Sequence, residues 1–202
     1  MAVIPRTDHS SEVTDLSTSP ICTCRPGGTV WLTGLPSSGK TTIARSVADR
    51  LREEHRRVET LDGDEIRGSL SEGLGFSRQD RDTNVRRTGL VAEILARNDV
   101  LVLVPVIAPY ADSREAVRER HERSGTPYLE VYVATPSRVC ADRDVKGLYA
   151  RQAAGELSGL TGVDDPYEEP VSPDLVLETH RQDIQECTAA LRALLVERGL
   201  AR

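Results

Sequence analysis

Residues Gly34, Leu35, Pro36, Ser37, Ser38, Gly39, Lys40, Thr41 and Thr42 carry the spacing G-x-x-x-x-G-K-[ST], directly after the apolar run Thr29–Thr33. Glycines at both ends let a backbone curl so that its N–H groups point inward at phosphate oxygens. The start of a helix adds positive potential. An ammonium at Lys40 suits the β- and γ-phosphates, and a hydroxyl at Thr41 suits the Mg²⁺ that bridges them. Pro36 is tolerable because that loop position need not donate. A strand before the motif and a helix after it separate a phosphate cradle from a plain glycine turn. The stretch therefore predicts a bound nucleoside triphosphate and leaves open what becomes of it.

Acceptor chemistry is sought downstream. Leu61-Asp62-Gly63-Asp64-Glu65-Ile66-Arg67 places acids at the end of a short β-like run. Transfer to an alcohol needs in-line geometry and a destination for the proton. Asp64 is the candidate for that role and Asp62 its support; the competing reading is a solvated acidic turn. Phe76 is the chain's single phenylalanine. It suits either a hydrophobic staple at a helix start or stacking on a base. Arg81 and Asn84, three apart, share a helix face, where one could clamp an oxyanion and the other read a polar edge. Arg86 and Arg87 read as a solvated face.

Strand and helix signals alternate along the chain that must position these groups. Strands are expected at 29–34, 57–62, 100–108, 128–135 and 175–179. The run 100–108 is the most apolar and reads as central, ending or bulging near Pro105. Helices are expected at 40–54 (with Ile43, Val47, Ala48 and Leu51 on one face), from Ser77 to about Asn98, at 113–123 and at 183–198. Ser77 and Asp80 have capping-box spacing. The class is α/β: a central parallel sheet of about five strands with helices on both faces. In such sheets ligands sit at the carboxyl ends of the strands. Residues 1–28, rich in Ser, Thr, Pro and Gly, read as a flexible leader, and 29–202 as one domain.

Composition narrows the function classes. A net charge of −6 argues against a nucleic-acid partner. No apolar run approaches the roughly 20 residues that span a bilayer, and the N-terminus lacks a signal peptide's apolar segment. Four cysteines without a CxxC pair, and four scattered histidines, offer no zinc site and read as reduced thiols in a cytoplasmic protein. Lys40 and Lys146 are the only lysines beside 24 arginines.

Several blocks together resemble the adenylylsulfate kinases, which have a P-loop kinase fold with a mobile lid. They are LDGDEIR, LGFSRQDRDTNVRR, PVIAPYADSREAVR, EVYVATP, DVKGLYARQAAGELSGLTGVDDPYE and SPDLVLET. The match runs from about Thr29 to the last helix. The resemblance implies MgATP-dependent phosphorylation of the 3′-hydroxyl of adenosine 5′-phosphosulfate. It puts Asp64 near the attacking hydroxyl, Phe76 on the substrate adenine, and Arg67, Arg81 and Asn84 on the sulfonucleotide. The backbone near Ile107 and Ala108 would touch that ligand too. Lys146 would reach the phosphates or substrate, Leu160 would close over the adenine, Arg143 would serve ATP, and 144–167 would form the lid. It further implies a homodimer and a functional link to ATP sulfurylase.

The chain departs from that pattern at identifiable places. Ala108 replaces the serine assigned in the family as a phosphoserine intermediate, so transfer is expected directly from ATP. Glu65 stands where asparagine is common, Leu160 where phenylalanine is, and Ala111 where arginine is frequent. Two other readings stay open: a P-loop kinase for another nucleoside or sugar hydroxyl, and a nucleotide-dependent switch. The second would normally carry N-K-x-D, which the sequence lacks.

Overall fold

The computed structural model describes residues 25–202. In chain order the elements are β1 (Gly28–Thr33), α1 (Lys40–Glu53), β2 (Val58–Thr60), α2 (Gly63–Arg67), α3 (Arg78–Ala96), β3 (Leu101–Pro105), α4 (Ala111–Ser124), β4 (Tyr128–Val133), α5 (Ser137–Arg143), α6 (Leu148–Ala153), β5 (Leu175–Leu177) and α7 (Ile184–Glu197). The strands form one parallel sheet in the order β2-β3-β1-β4-β5. β1 holds the middle, with Val30 opposite Leu103 on one side and Leu129 on the other. β3, the most apolar run, lies one place from the middle. Helices cover both faces, so burial alone does not tell a middle strand from its neighbour.

Alternation along the strands divides the core in two. Val30, Leu32, Leu101 and Leu103 pack with Ile43, Val47 and Leu51 of α1 and Leu191 and Leu195 of α7. Trp31, Val102 and Val104 pack with Val85, Ala92 and Ala96 of α3 and Val117 of α4. The helices α3 and α4 meet at Gly89, where an added Cβ would lie 2.6 Å from Cγ2 of Val117. On the inner face of α4 sit Arg114, Val117 and His121, all buried. The ring of His121 donates from Nδ1 to the Val117 carbonyl and accepts at Nε2 from the Thr29 hydroxyl, each at 2.8 Å.

Boundaries follow local chemistry. β3 stops at Pro105, which cannot donate; Val106 N–H then reaches the Leu32 carbonyl at 3.1 Å. Ser77 caps α3 by accepting from Asp80 N–H at 3.1 Å, while the Asp80 carboxylate takes the Ser77 hydroxyl instead of the backbone. Asp183 and Glu186 form the full reciprocal box at α7. Helices α2, α5 and α6 occupy stretches the sequence left without helix signals. Each spans at most about two turns, too short for a 3.6-residue period to register.

Among the described residues, no helix is long and apolar enough to cross a membrane, and no cluster of His, Cys, Asp and Glu could hold a metal unaided. Cys140 and Cys187 are buried free thiols. Cys22, Cys24 and most of the expected leader lie outside the described residues.

Candidate active site

The loop between β1 and α1 forms a tight nest at the carboxyl edge of the sheet. Gly34 takes φ 152°, and a Cβ there would come within 2.6 Å of the Val133 carbonyl, so only glycine fits. Gly39 is the left-handed N-cap of α1. The Lys40 ammonium, only 8% exposed, donates to the carbonyls of Gly34 at 2.9 Å and Leu35 at 2.7 Å, and to Ser38 Oγ at 3.3 Å. Burial is the main cause that lowers its pKa from 10.5 to about 7. The Ser38 carbonyl gathers donors from three later parts of the chain: the hydroxyls of Thr135 at 3.1 Å and Thr179 at 2.8 Å, in the loops after β4 and β5, and Nη1 of Arg143 on α5 at 3.4 Å. Arg143 also grips Thr179 through its hydroxyl and carbonyl.

Beyond β2, Asp62 is buried and caps α2; its Oδ1 accepts from Asp64 N–H at 3.1 Å. Arg45 on α1 approaches the other oxygen at 3.4 Å. That contact fixes the turn and leaves the Asp64 carboxylate projecting, where the Lys146 ammonium pairs with it. Glu65 is exposed and does not line the cleft, so it turns outward. The side chain of Arg67 lies outside the described residues.

The segment expected to be a lid folds over this edge. Asp144 Oδ1 and Oδ2 accept from the N–H groups of Tyr149 at 3.0 Å and Ala150 at 2.9 Å, which sets the turn that presents Lys146. The Tyr149 hydroxyl reaches the Pro36 carbonyl at 3.2 Å, and Leu35 lies against Gly162. Asp164 accepts from Gly159 N–H at 2.8 Å and Leu160 N–H at 2.6 Å, shaping a compact loop that buries Leu160. Arg81, from α3, is bound into it: Nη1 donates to Thr161 Oγ1 at 2.8 Å, Nη2 to the Gly159 carbonyl and Nε to the Phe76 carbonyl at 2.9 Å. Asp165 lies 3.6 Å from Nε. Three of its five N–H donors are thus committed to protein. Phe76 itself is 53% exposed, with Arg81 Cζ 5.8 Å from its ring centroid.

One cleft of about 820 Å³ connects these parts. Its lining includes Pro36, Ser37, Ser38, Gly39, Lys40, Thr41 and Thr42 on the cradle side. Asp62, Asp64, Phe76, Arg81, Asn84, Ile107 and Ala108 line the other side, and Arg143, Lys146 and Leu160 come from above. Of the residues singled out in the sequence, Gly34 and Leu35 shape the loop from behind and do not line the cleft. Asn84 also accepts from Ser71 Oγ. A triphosphate nest and a carboxylate with an exposed aromatic therefore face one opening, the arrangement that in-line phosphoryl transfer between two ligands requires.

The family model of adenylylsulphate kinases matches residues 26–178. The chain belongs to the adenylyl-sulfate kinase family. It is 47% identical over 171 residues to a probable adenylyl-sulfate kinase of Synechocystis sp., covering 85% of this chain and 94% of that one. Identity with the adenylyl-sulfate kinase of Chloroflexus aurantiacus is 50% over 177 residues, covering 88% and 93%. The structure also resembles that of the Mycobacterium tuberculosis APS kinase CysC in complex with AMPPNP and APS. There the TM-score is 0.83 at 43% identity, with 85% of this chain and 99% of that chain covered.

Within this adenylyl-sulfate kinase fold, several residues that build the cleft carried no motif in the sequence. Gln182, in the loop after β5, and Ile184, at the start of α7, line it; Thr179 lines it too, from the end of the SPDLVLET block, where no role was assigned to it. Arg114 was legible in principle: an arginine in register with Val117 and His121 on a helix's buried face must have partners.

Proposed function

We propose that this chain transfers the γ-phosphoryl group of ATP to the 3′-hydroxyl of adenosine 5′-phosphosulfate, giving 3′-phosphoadenosine 5′-phosphosulfate and ADP. The observation that carries the reading is the single cleft shared by the Lys40 cradle and the Asp64–Phe76 group, in a chain of this family. The cradle N–H groups, Lys40 and Arg143 bind the triphosphate. Phe76 and Leu160 offer apolar faces to the substrate adenine, and Arg81 and Asn84 border its sulfonucleotide. In the transfer, the 3′-oxygen bonds to the γ-phosphorus as the bond to the β,γ-bridging oxygen breaks, and the hydroxyl proton passes to Asp64. For that, Lys146 must leave the Asp64 carboxylate, and the phosphates are its natural next partner.

Mg²⁺ fits the residues present. The cleft supplies hard oxygen donors at Thr41 and Asp62 without an all-protein cage, the donor set this ion takes beside phosphates. It would neutralise charge on the phosphates. Ala108 offers no nucleophile, so transfer is direct, with no phosphoenzyme at that position. Cytoplasmic location, homodimerisation and a link to ATP sulfurylase accompany this reading.

A coupled assay of ADP formation with MgATP tests it. Adenosine 5′-phosphosulfate should drive turnover and adenosine monophosphate should not. Equal rates with both, or a faster rate with a sugar alcohol, would favour another kinase of the same scaffold.

A further inference from the structure

The wall that would contact the sulfonucleotide, Ile107 to Pro109, includes a backbone conformation that must be held. Ala108 has φ 43°, left-handed for a residue with a Cβ, a strained state that persists only when its surroundings fix it. With no hydroxyl at 108, this wall acts through backbone position and shape alone.

What fixes it is Arg114, 3% exposed, at the first turns of α4. Its guanidinium donates in three directions: Nη1 to the Ala108 carbonyl at 2.8 Å, Nη2 to the Glu168 carbonyl at 2.8 Å, and Nε to Glu130 Oε1 at 2.7 Å. Glu130, on β4, is itself buried and shared with Arg118 at 3.2 Å. Glu168 follows the lid loop directly. Its N–H donates to the Pro109 carbonyl at 2.8 Å, and its Oε2 accepts from Ala111 N–H at 2.7 Å. Two further links tie the same pair of segments. The Tyr110 hydroxyl donates to the Asp165 carboxylate at 3.3 Å, and the Tyr167 hydroxyl lies 3.0 Å from Thr33 Oγ1, which donates to the Ile107 carbonyl. Asp165 in turn faces Arg81.

We infer that Arg114 is a positioning residue for the acceptor: it locks the Ile107–Pro109 wall and the root of the lid to each other and to the sheet through Glu130. The planar fork is essential, because the three acceptors are held by three different nitrogens spread across the guanidinium, whereas an ammonium offers all its donors from one nitrogen. None of the three Arg114 acceptors belongs to the cradle, which meets this lock only indirectly, through Thr33 and the lid's contacts with Leu35 and Pro36, so the nucleotide side should respond less.

The inference rests on adenosine 5′-phosphosulfate being the acceptor, and the test keeps the two claims apart. Steady-state kinetics are measured for the unmodified enzyme, Arg114→Lys, Arg114→Met and Arg118→Leu, with a melting temperature for each. If the unmodified enzyme fails to turn over this acceptor, the function fails and not the lock. Given an active parent, Arg114→Lys should raise KM for the acceptor at least about tenfold, within the loss that ångström-scale misplacement produces. KM for ATP should stay within about threefold, because cradle contacts are untouched. Arg118→Leu removes a partner of the same Glu130 without touching the wall; it should lower the melting temperature while leaving acceptor KM near normal. Arg114→Met should exceed Arg114→Lys in acceptor KM; if it does not fold, the Lys variant alone decides. Unchanged acceptor KM in Arg114→Lys, or equal increases for both substrates, would overturn the inference, as would an Arg118→Leu effect of the same size.

Discussion

The Lys146 ammonium rests on the Asp64 carboxylate, joining the start of the lid segment to the turn after β2. Both side chains are more than half exposed, at 52% and 64%. A pair so open to water adds little to stability, and the contact is therefore exchangeable.

Replacing Asp64 with Ala should lower turnover at least about a hundredfold, the scale of a lost acid–base group. The melting temperature should barely move. Near-normal turnover would reject Asp64 as the proton acceptor.

Lys40 gives a proton-linked signature. Its folded pKa of about 7 lies below the 10.5 of a free lysine, chiefly through burial. Between those values the unfolded chain binds the extra proton, so this group's contribution to stability rises with pH over that window and is absent below it. A bound triphosphate favours the ammonium. Titration calorimetry at pH 8, in two buffers of different ionisation enthalpy, should show proton uptake with ATP, and affinity should fall as pH rises above about 7. Zero uptake would mean that Lys40 is already charged at pH 8.

His121 acts at the other end of the scale. Burial is the largest cause that lowers its pKa below 6.5. The unfolded chain therefore takes up the proton first, and stability present above about pH 6.5 is lost as pH falls toward the folded value. Urea midpoints should fall between pH 7.5 and 5.5. His121→Gln should flatten that slope while lowering stability at pH 7.5 by about 1–3 kcal/mol, the cost of disturbing buried polar partners. An unchanged slope would place the titration elsewhere.

Gly89 sits inside α3, where alanine would normally gain about 1 kcal/mol of helix propensity. Its approach to Val117 reverses the sign, since overpacking costs about 1–3 kcal/mol. Gly89→Ala should destabilise in denaturant melts, and Val117→Ala in the same chain should recover part of the Gly89→Ala loss. A stabilised single variant would show that α3 and α4 can move apart freely.

Much of this architecture is legible from residue pattern because the strands are apolar runs and the long helices have caps. Ser77 and Pro105 mark boundaries by chemistry that needs no tertiary context. The cradle is local as well, since motif and flanking elements are contiguous. Strand order is not local: it depends on crossovers, and β1 and β3 are equally buried. The segment 144–167 shows the same limit. Arg81 appeared as an anion clamp from its place on a helix, yet Gly159 and Thr161, nearly 80 residues later, occupy much of its guanidinium. Likewise Arg114 gains meaning only when Ala108, Glu130 and Glu168 converge on it.

The Ser38 carbonyl has an implication for biosynthesis. Its partners arrive from Thr135, Arg143 and Thr179, more than a hundred residues behind it in synthesis for the last two. A growing chain that has just left the ribosome past α1 carries the glycine-lysine motif without the groups that brace it. Bracing of that carbonyl must then await emergence of β5 and the loop after it, so this part of the nest is completed late in synthesis.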